Sequence, residues 1–302
     1  MEYSSGNFID LHVHSTASDG SFSPLDLALL VQKAGLKAFA LTDHDTIDGS
    51  KAIVQNKRIL GPVQFLTGVE ISAGAADFPG IAGSFHILGY GFDLAHPRLN
   101  RALQTQQAAR KNRNPEIIKR LRSLGMDMSL AEVIAASEPN AQIGRPHIAR
   151  LMVQKGFVPS INEAFDQYLG KGSPAYLDKP RIEAGEAISL IDAAGGVAVL
   201  AHPGLLKMPD DAAYDALIAK LASMGLGGIE VFYPGHTSGQ VCLFSSLATK
   251  YHLLVTGGSD FHGAVNPDVK LGAGPGDMAA PYAVYERLVE AIHRIHSMSS
   301  HE

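Results

Sequence analysis

The chain has 302 residues, a formal net charge of -5 and a hydrophobic fraction of 46%, a composition that supports a full core and argues against a general nucleic-acid binder. Its single cysteine, Cys242, excludes an intrachain disulfide and a metal site built from several thiolates. It contains no apolar run of about 18 residues, which a membrane span needs, and residues 1–7 lack the layout of a signal peptide. We therefore expect a cytoplasmic protein with no membrane segment and no DNA-binding surface.

The charge is distributed unevenly along the chain. Residues 98–181 contain 14 lysines and arginines against 7 aspartates and glutamates, whereas the remainder contains 11 against 23. A basic segment within an acidic chain fits a phosphate-binding wall that faces metal-binding carboxylates. The alternative, which holds for most of these basic residues, is a solvated helical face.

The first stretch with a chemical pattern runs from Phe8 to Gly20. A predicted strand leads into His12 and His14, and alternate side chains of a strand point the same way, so these two imidazoles can hold one metal ion. Asp19 follows on a predicted turn. On its own, His-x-His is a weak signal, because paired surface histidines occur by chance.

Alternating elements follow. They are a helix beginning at Ser23–Pro24, a strand at 37–42, a helix at 46–60, and strands at 63–72 and 84–92. His44 follows the first of these strands, Glu70 lies near the end of the second, and His86 lies inside the third. This order predicts parallel pairing, with functional side chains at the carboxyl ends of the strands.

The rhythm changes at about residue 98. The pattern is helical to about residue 169, with Pro115 expected to break or start a helix, Ser129 to cap another, and Arg145–Pro146 to open a third. We therefore predict a helical insert after the fourth strand. It divides the chain into a first barrel part (1–97), a substrate cap (98–169) and a second barrel part (170–302).

Alternation resumes in the last part of the chain. The predicted order is a helix at 184–194, a strand at 197–201, a helix at 211–224, a strand at 228–233, a further helix, a strand at 253–257 and a closing helix at 282–296. His202 follows the first of these strands, His236 the second, and Asp260 and His262 the third.

Nine side chains that suit metal ions thus gather at the predicted mouth of the barrel: His12, His14, Asp19, His44, Glu70, His86, His202, Asp260 and His262. Each histidine alone could be a hydrogen-bonded core residue. Nine such groups in one mouth would be costly without a metal, because buried charges need a partner. Imidazole and carboxylate ligands without sulfur suit manganese, iron or zinc in a hydrolytic site.

The motifs that carry these residues resemble those of the PHP (polymerase and histidinol phosphatase) family. They are His12-Val13-His14-Ser15, Thr42-Asp43-His44-Asp45, Gly68-Val69-Glu70, Ala201-His202-Pro203 and Gly258-Ser259-Asp260-Phe261-His262. The resemblance implies an α/β fold, a distorted (β/α)7 barrel of the amidohydrolase-like kind, with two or three divalent metal ions at its mouth.

The resemblance also implies an assignment of ligands to ions. The first ion takes His12, His14 and Asp260, and Glu70 bridges it to a second ion that also takes His86 and His202. A third ion takes Asp19, His44 and His262. Many members of the family have histidine where this chain has Asp19, so the third site is richer in oxygen. Manganese is therefore favoured, with iron or zinc as alternatives.

Within the family, the insert with Gly144-Arg145-Pro146-His147 resembles the branch of nucleoside 3′,5′-bisphosphate phosphatases, some of which trim short RNA from the 5′ end. The resemblance implies a nucleotide or short RNA as substrate. It implies removal of the 3′-phosphate by a hydroxide held between two metal ions, for which Glu70 and His202 are essential.

Four residues are candidates for contacts with the substrate. Arg145 begins a basic helix and has a planar fork that can grip a phosphate, unless it caps or pairs locally. Lys171 and Lys179 lie in a predicted return loop, where lysines are usually solvated. His236 is a candidate for contacting the phosphate or protonating the leaving oxygen, with a packing role as the alternative.

Two other functions stay open from the sequence. One is a different PHP phosphomonoesterase, such as a histidinol phosphatase. The other is a metal-binding module without catalysis, as PHP domains can be within larger polymerases. The basic insert favours a more anionic substrate than the first, and the full set of nine ligands argues against the second.

Overall fold

The computed structural model describes residues 8–76, 78, 81, 83–137, 141–272 and 280–299. Up to the insert, the elements are β1 (Phe8–Val13), α1 (Pro24–Lys33), β2 (Ala38–Leu41), α2 (Asp48–Gln55), β3 (Gln64–Gly74) and β4 (His86–Tyr90). The insert contains α3 (Pro97–Ser123), α4 (Leu130–Ala135), α5 (Arg145–Gln154) and α6 (Ile161–Ala164), which continues into a helical turn, Phe165–Leu169.

The second part of the barrel begins with the short strand β5. Its elements are β5 (Ile182–Glu183), α7 (Ala184–Ala193), β6 (Val197–Leu200), α8 (Asp211–Ser223), β7 (Gly228–Phe232), α9 (Ser238–Lys250), β8 (Leu254–Gly257), β9 (Ala280–Pro281) and α10 (Tyr282–Ser299). Among the described residues, the structure has no helix that is both long enough and apolar enough to span a membrane.

The strands form one curved sheet. Eight of them lie side by side in the order β8-β7-β6-β4-β3-β2-β1-β9, and β5 pairs with β3. β1, β2 and β3 are mutually parallel, as are β6, β7 and β8. A bridge between Val13 and Phe261 brings the residues after β8 back to β1. The seven strands longer than two residues thus form a nearly closed barrel, which confirms the predicted α/β fold.

One of the strands predicted from the sequence departs from the expected parallel arrangement. β4 runs antiparallel to both of its neighbours, β3 and β6. The described residues between β3 and β4 contain no helix, and a strand that follows without a crossover returns in the opposite direction. As a result, the first residue of β4, His86, lies opposite Ser72 and close to Glu70.

The insert has an apolar core of its own. This core includes Ile117, Leu121, Val133, Ile148 and Met152. The start of α3 belongs instead to the barrel, since Leu99 and Leu103 pack within the main barrel cluster. The α3 helix thus contributes to both cores, and the domain boundaries at 97–98 and 169–170 stay a prediction.

Pro115 lies inside α3, and the helix continues through it, so the prediction that Pro115 breaks or starts a helix is wrong. An internal proline removes a hydrogen bond and costs about 3 kcal/mol. The turns that follow bury Ile117, Ile118 and Leu121, which offsets this cost. The other predicted helix starts are confirmed: Ser23 caps α1 and Ser129 caps α4.

Candidate metal centre

Glu70, on β3, lies at the centre of the predicted ligands and is 1% exposed. Its Oε1 atom lies 2.6 Å from His86 Nδ1 and 2.9 Å from His202 Nε2, both with hydrogen-bond geometry. These two rings come from β4 and from the end of β6, on one side of the carboxylate. One oxygen of Glu70 is thereby fixed by two imidazoles.

The other oxygen of Glu70, Oε2, faces three more rings. It lies 3.3 Å from His12 Nε2, 3.2 Å from His14 Nε2 and 2.9 Å from His44 Nδ1. In spite of these short distances, Oε2 and the three ring nitrogens are buried without a hydrogen-bond partner. Buried polar atoms are normally satisfied, so this convergence of unpaired donor atoms fits a cation held between them.

Two aspartates complete the cluster. Asp260 Oδ1 lies 3.1 Å from His14 Nε2 and 3.4 Å from His12 Nε2. Asp19 Oδ1 lies 3.3 Å from His262 Nε2 and is itself buried without a hydrogen-bond partner. The carboxylates therefore alternate with imidazoles, as in centres that hold more than one divalent ion.

The donor atoms form three overlapping groups, in each of which all donors lie within 4.8 Å of one another. They are His12, His14, Glu70 and Asp260; His44, Glu70 and His86; and His14, Asp19, His44 and His262. Together with His202 on Glu70, the structure brings all nine predicted ligands into one cluster. The second group contains His44 where the predicted assignment has His202, and the ion that each residue holds stays a prediction.

The carboxylates of the centre are in the form that binds metal. Burial would raise the pKa of Glu70, but the surrounding histidines, first among them His44, hold it well below its usual range. Histidine charges likewise lower the pKa values of Asp19 and Asp260 against the effect of burial. Burial lowers the pKa of His86 to about 4. Ionised carboxylates and a neutral imidazole are the forms that bind metals. At four other histidines a metal ion has to compete with protons, because neighbouring carboxylates, against the effect of burial, raise the pKa values of His12, His44, His202 and His262.

Glu230, in the middle of β7, orients two of the ligands. Its Oε1 lies 2.9 Å from His12 Nδ1, and its Oε2 accepts a 2.7 Å hydrogen bond from the backbone N–H of His202. The contact at Nδ1 leaves Nε2 of His12 free to face Glu70. Glu230 was not predicted, although a glutamate inside the apolar strand sequence Gly228–Phe232 was a visible signal.

Two buried aspartates that were also not predicted hold the ligand loops. Asp10 accepts hydrogen bonds from the backbone and hydroxyl of Ser259, directly before Asp260. Asp43 accepts from the backbone and hydroxyl of Ser15 and from the hydroxyl of Ser18. These contacts fix the loops that carry the aspartate ligands.

The backbone is strained at three positions in this region. Asp45, His202 and Asp260 have φ values of 55°, 26° and 57°, in the left-handed region that side chains other than glycine rarely adopt. Such a conformation costs of the order of 1–3 kcal/mol and persists where the surroundings determine it. Here the hydrogen bond from His202 N to Glu230 is one such constraint.

A cavity of about 180 Å³ opens beside the metal ligands; we call it the metal cavity. Its lining combines ligands and cationic side chains: Asp19, His44, His86, Arg110, Arg113, Arg145, Lys179 and Arg181. A larger cavity of about 880 Å³, the outer cavity, shares Arg145, Lys179 and Arg181 with it. An anionic group in the metal cavity would thus meet metal ligands on one side and cationic side chains on the other. We call these cationic side chains the cationic wall; they are Arg110, Arg113, Arg145, Lys179 and Arg181.

Arg145, a predicted substrate contact, lines the metal cavity, and its contact with a phosphate stays a prediction. Its Nη1 donates a 2.9 Å hydrogen bond to the carbonyl of Leu169, and its guanidinium lies 5.2 Å and 5.8 Å from the rings of Tyr176 and Phe165. These contacts orient the guanidinium fork without neutralising it with a carboxylate.

Of the predicted lysines, Lys179 lines the metal cavity and Lys171 only the outer cavity. Lys179 Nζ lies 3.2 Å from Asp45 Oδ2 and donates a hydrogen bond to Gln106. Burial lowers the pKa of Lys179 to about 8.

His236 is not brought to the site. It is 5% exposed, its Nδ1 bonds to the carbonyl of Val231 at 2.9 Å, and its Nε2 accepts from the backbone N–H of Gly204 at 3.1 Å. Both ring nitrogens are thus used by the backbone, and His236 lines neither the metal cavity nor the outer cavity. The surroundings favour the packing role over the predicted contact with substrate.

Three arginines of the wall were not singled out from the sequence. Arg110 and Arg113 lie on α3 and are buried, and Arg110 Nη2 contacts Asp45 Oδ2 at 2.6 Å. Burial first, and then the charge of Arg145, lowers the pKa of Arg113 to about 9. Arg181 lies beyond the insert. Arginines on a basic helix resemble a solvated face, so only the excess of positive charge in the segment could have indicated them.

The chain is similar to a family of known proteins. The family model described as the PHP domain matches residues 10–221. A 5'-3' exoribonuclease of Haemophilus influenzae is 36% identical over 84% of this chain and 89% of the relative. A 3',5'-nucleoside bisphosphate phosphatase of Chromobacterium violaceum is 32% identical over 84% and 87%. The structure of a metal-dependent phosphoesterase from Bifidobacterium adolescentis covers 96% of this chain and 98% of its own at a TM-score of 0.82 and 29% identity.

Proposed function

Because the chain belongs to the PHP domain family, we propose that this hydrolase removes the 3′-phosphate of a nucleoside 3′,5′-bisphosphate. One observation carries the proposal: metal ligands and five cationic side chains line the same small cavity. A substrate with one phosphate needs the metal ligands alone. In a substrate with two phosphates, the guanidinium groups can bind the second phosphate.

The residues of the centre fit divalent metal ions, since unpaired imidazole nitrogens and carboxylate oxygens converge on common points. When bound, such ions lower the pKa of water and neutralise charge on phosphoryl oxygens. We expect two or three ions. Manganese is favoured because Asp19 adds a hard oxygen ligand to the group of His14, His44 and His262.

The chain's own residues position the phosphate. Arg145 presents a fork that suits two phosphoryl oxygens, and the aromatic rings of Phe165 and Tyr176 hold that fork in place. Arg113 and Arg181 supply further positive charge for the second phosphate. The developing charge in the transition state is thus met by groups that are already oriented.

The same chemistry would allow the chain to trim short RNA from its 5′ end, because the bond that breaks is again the one between phosphorus and a 3′ oxygen. The relative from H. influenzae, named as an exoribonuclease, supports this extension. Removal of the 3′-phosphate and trimming of short RNA thus both act on a nucleotide substrate.

The deciding experiment compares kcat/KM of the manganese-loaded protein on three substrates. These are a nucleoside 3′,5′-bisphosphate, the matching 3′-monophosphate and histidinol phosphate. We expect a preference for the bisphosphate of at least tenfold, which decreases at high salt because salt screens charge attraction. Equal values for the bisphosphate and the 3′-monophosphate, or a preference for histidinol phosphate, would replace this proposal by a simpler phosphomonoesterase.

A further inference from the structure

A second large cavity lies on another face of α3. It has a volume of about 900 Å³ and lies between α3, α4 and the loop before Asp19. We call it the amide cavity, and its lining includes Ala17, Thr46, Gln107, Asn114, Gln142 and Ile143. Among the described residues of its lining, the charged ones are Asp48 and Lys111, which have opposite signs. Unlike the metal cavity, it offers no excess of positive charge for a phosphate.

Two amide oxygens in this lining have no partner. Asn114 is 2% exposed, and its Nδ2 donates a 2.8 Å hydrogen bond to the carbonyl of Ile143. Its Oδ1 and the Oε1 of Gln142 are both buried without a hydrogen-bond partner. Buried acceptors are normally satisfied, so a ligand that donates N–H groups would satisfy these two oxygens once the side chains turn them toward the amide cavity.

The amide cavity adjoins the metal centre through shared elements. On α3, Arg110 lines the metal cavity, and Gln107, nearly one turn earlier, lines the amide cavity. In the loop after β1, Asp19 lines the first and Ala17 the second. The segment 142–146 likewise contributes to both. A phosphate at the metal ligands therefore has a cationic wall on one side and the neutral amide cavity beyond α3 and this loop.

We propose that the amide cavity binds the nucleobase that follows the scissile phosphate in an oligonucleotide. The inference rests on the proposed function and adds to it a binding site for the second nucleotide of an oligonucleotide substrate. A nucleobase has apolar faces and carries N–H donors at its edge, which match the apolar lining and the two free amide oxygens. The first nucleotide, with its 5′-phosphate, occupies the cationic side.

The reaction is the same for both substrates. Water attacks phosphorus, the bond from phosphorus to the 3′ oxygen of the first nucleotide breaks, and that oxygen leaves with a proton. In an oligonucleotide, the phosphoryl group stays on the 5′ oxygen of the second nucleotide. In a nucleoside bisphosphate, it leaves as inorganic phosphate, and the amide cavity is not used.

The test compares a 5′-phosphorylated dinucleotide with the same molecule lacking the second base. We expect the wild type to cleave the complete dinucleotide with a kcat/KM roughly tenfold higher, the range expected for about one hydrogen bond between neutral groups. Gln142→Leu and Asn114→Leu should each remove this preference. Turnover of a nucleoside 3′,5′-bisphosphate should be unchanged in both variants.

Asn112→Leu is the matched control, because Asn112 is an exposed amide on the same helix that does not line the amide cavity. It should keep the preference for the complete dinucleotide. Equal cleavage of the two dinucleotides by the wild type would overturn the proposal. So would an equal loss on all substrates in the Gln142→Leu variant, since that would indicate a structural role.

A binding measurement separates this inference from the proposed function. 2-Aminopurine as the second base reports its surroundings by fluorescence, whether or not the substrate is cleaved. We expect a fluorescence change with wild-type protein and none with Gln142→Leu. If the bisphosphate is not hydrolysed, the proposed function fails, but this measurement still decides the base site. The same fluorescence response in the wild type and in Gln142→Leu would contradict binding of the second base in the amide cavity.

Discussion

At the scale of single residues, Glu230 orients two of the predicted metal ligands without being a predicted ligand itself. It contacts the ring of His12 with one oxygen and the backbone of His202 with the other. The first contact determines which ring nitrogen of His12 faces the centre. Partners of this kind typically change metal affinity by about 10- to 100-fold when they are removed.

We therefore expect Glu230→Gln to weaken metal binding by about 10- to 100-fold, because the amide keeps the shape but loses the charge and one acceptor. Titration with manganese, followed by metal analysis, measures the change. Glu186→Gln, at an exposed position on α7, is the control. Unchanged affinity in Glu230→Gln would show that His12 is oriented by its packing alone.

Arg145 provides a second prediction. A hydrogen bond to a charged group contributes about 1.5–3 kcal/mol, and about 1.36 kcal/mol corresponds to tenfold in rate. Arg145→Ala should thus lower kcat/KM for the bisphosphate by about ten- to a hundredfold, with metal content unchanged. Arg145→Lys should retain only part of the wild-type kcat/KM, because lysine lacks the planar fork of arginine.

Arg150→Ala is the control for Arg145, since it removes an arginine of the same helix, α5, that does not line the metal cavity. Full activity of Arg145→Ala would remove Arg145 from the substrate wall.

Lys179 predicts a pH dependence. Burial lowers its pKa to about 8, so the side chain is charged below this pH and loses its charge as the pH rises through it. If this charge attracts the second phosphate, the preference for the bisphosphate should decrease above about pH 8. In Lys179→Arg the charge persists, so the decrease should disappear from a pH profile of kcat/KM. An identical profile in both proteins would exclude Lys179 as its source.

The metal ligands could be predicted from the sequence because they lie in strands or in the loops that directly follow them, where a short motif is visible. The cationic wall could not, since Arg110 and Arg113 look like residues of a solvated helix until the fold buries both and places Asp45 beside Arg110. His236 shows the opposite case. Its position after a strand suggested a role in the site, but nearby backbone atoms occupy both ring nitrogens.

At the scale of elements, β4 explains how His86 reaches the centre. In a parallel strand, the residue at this edge would be the last; in the antiparallel β4 it is the first. The sequence pattern of a buried strand contains no information on its direction. The direction depends on the connection before it. The predicted order already had two successive strands here, 63–72 and 84–92, with no helix between them, but parallel pairing was predicted for all the strands.

Pro115 and Pro97 on α3 allow a test of helix energetics. Pro115 is internal and Pro97 is at the first turn, where no hydrogen bond is lost. We expect Pro115→Ala to raise the free energy of unfolding by about 1–3 kcal/mol, and Pro97→Ala to change it little. Denaturant unfolding measures both. Equal effects would mean that α3 has already adapted to Pro115 at no cost.

At the scale of the whole molecule, the metal ions connect stability to activity. Nine inward-facing polar groups surround the centre, and several of their atoms have no hydrogen-bond partner among the described residues. A ligand that binds only the folded state stabilises it, by about 4 kcal/mol at a thousandfold excess over Kd. Removing the ions should therefore weaken the fold as well as stop turnover.

We expect chelation to lower Tm by several degrees and to abolish hydrolysis, with both restored by manganese. Calorimetry with and without chelator provides the measurement, and metal analysis of the active protein accompanies it. Less than one equivalent of metal in fully active protein would contradict a centre with several ions.

Three ligands of the first group lie far apart in sequence: His12 is in β1, His14 follows β1 directly, and Asp260 lies beyond β8. During synthesis, the ribosome therefore releases His12 long before Asp260 exists. The nascent chain can fold β1 to β3 early, but it cannot assemble this ligand group until the last quarter of the chain has emerged. Pairings of such long sequence separation form slowly. Metal bound by the complete first group therefore cannot assist the early folding of β1 to β3.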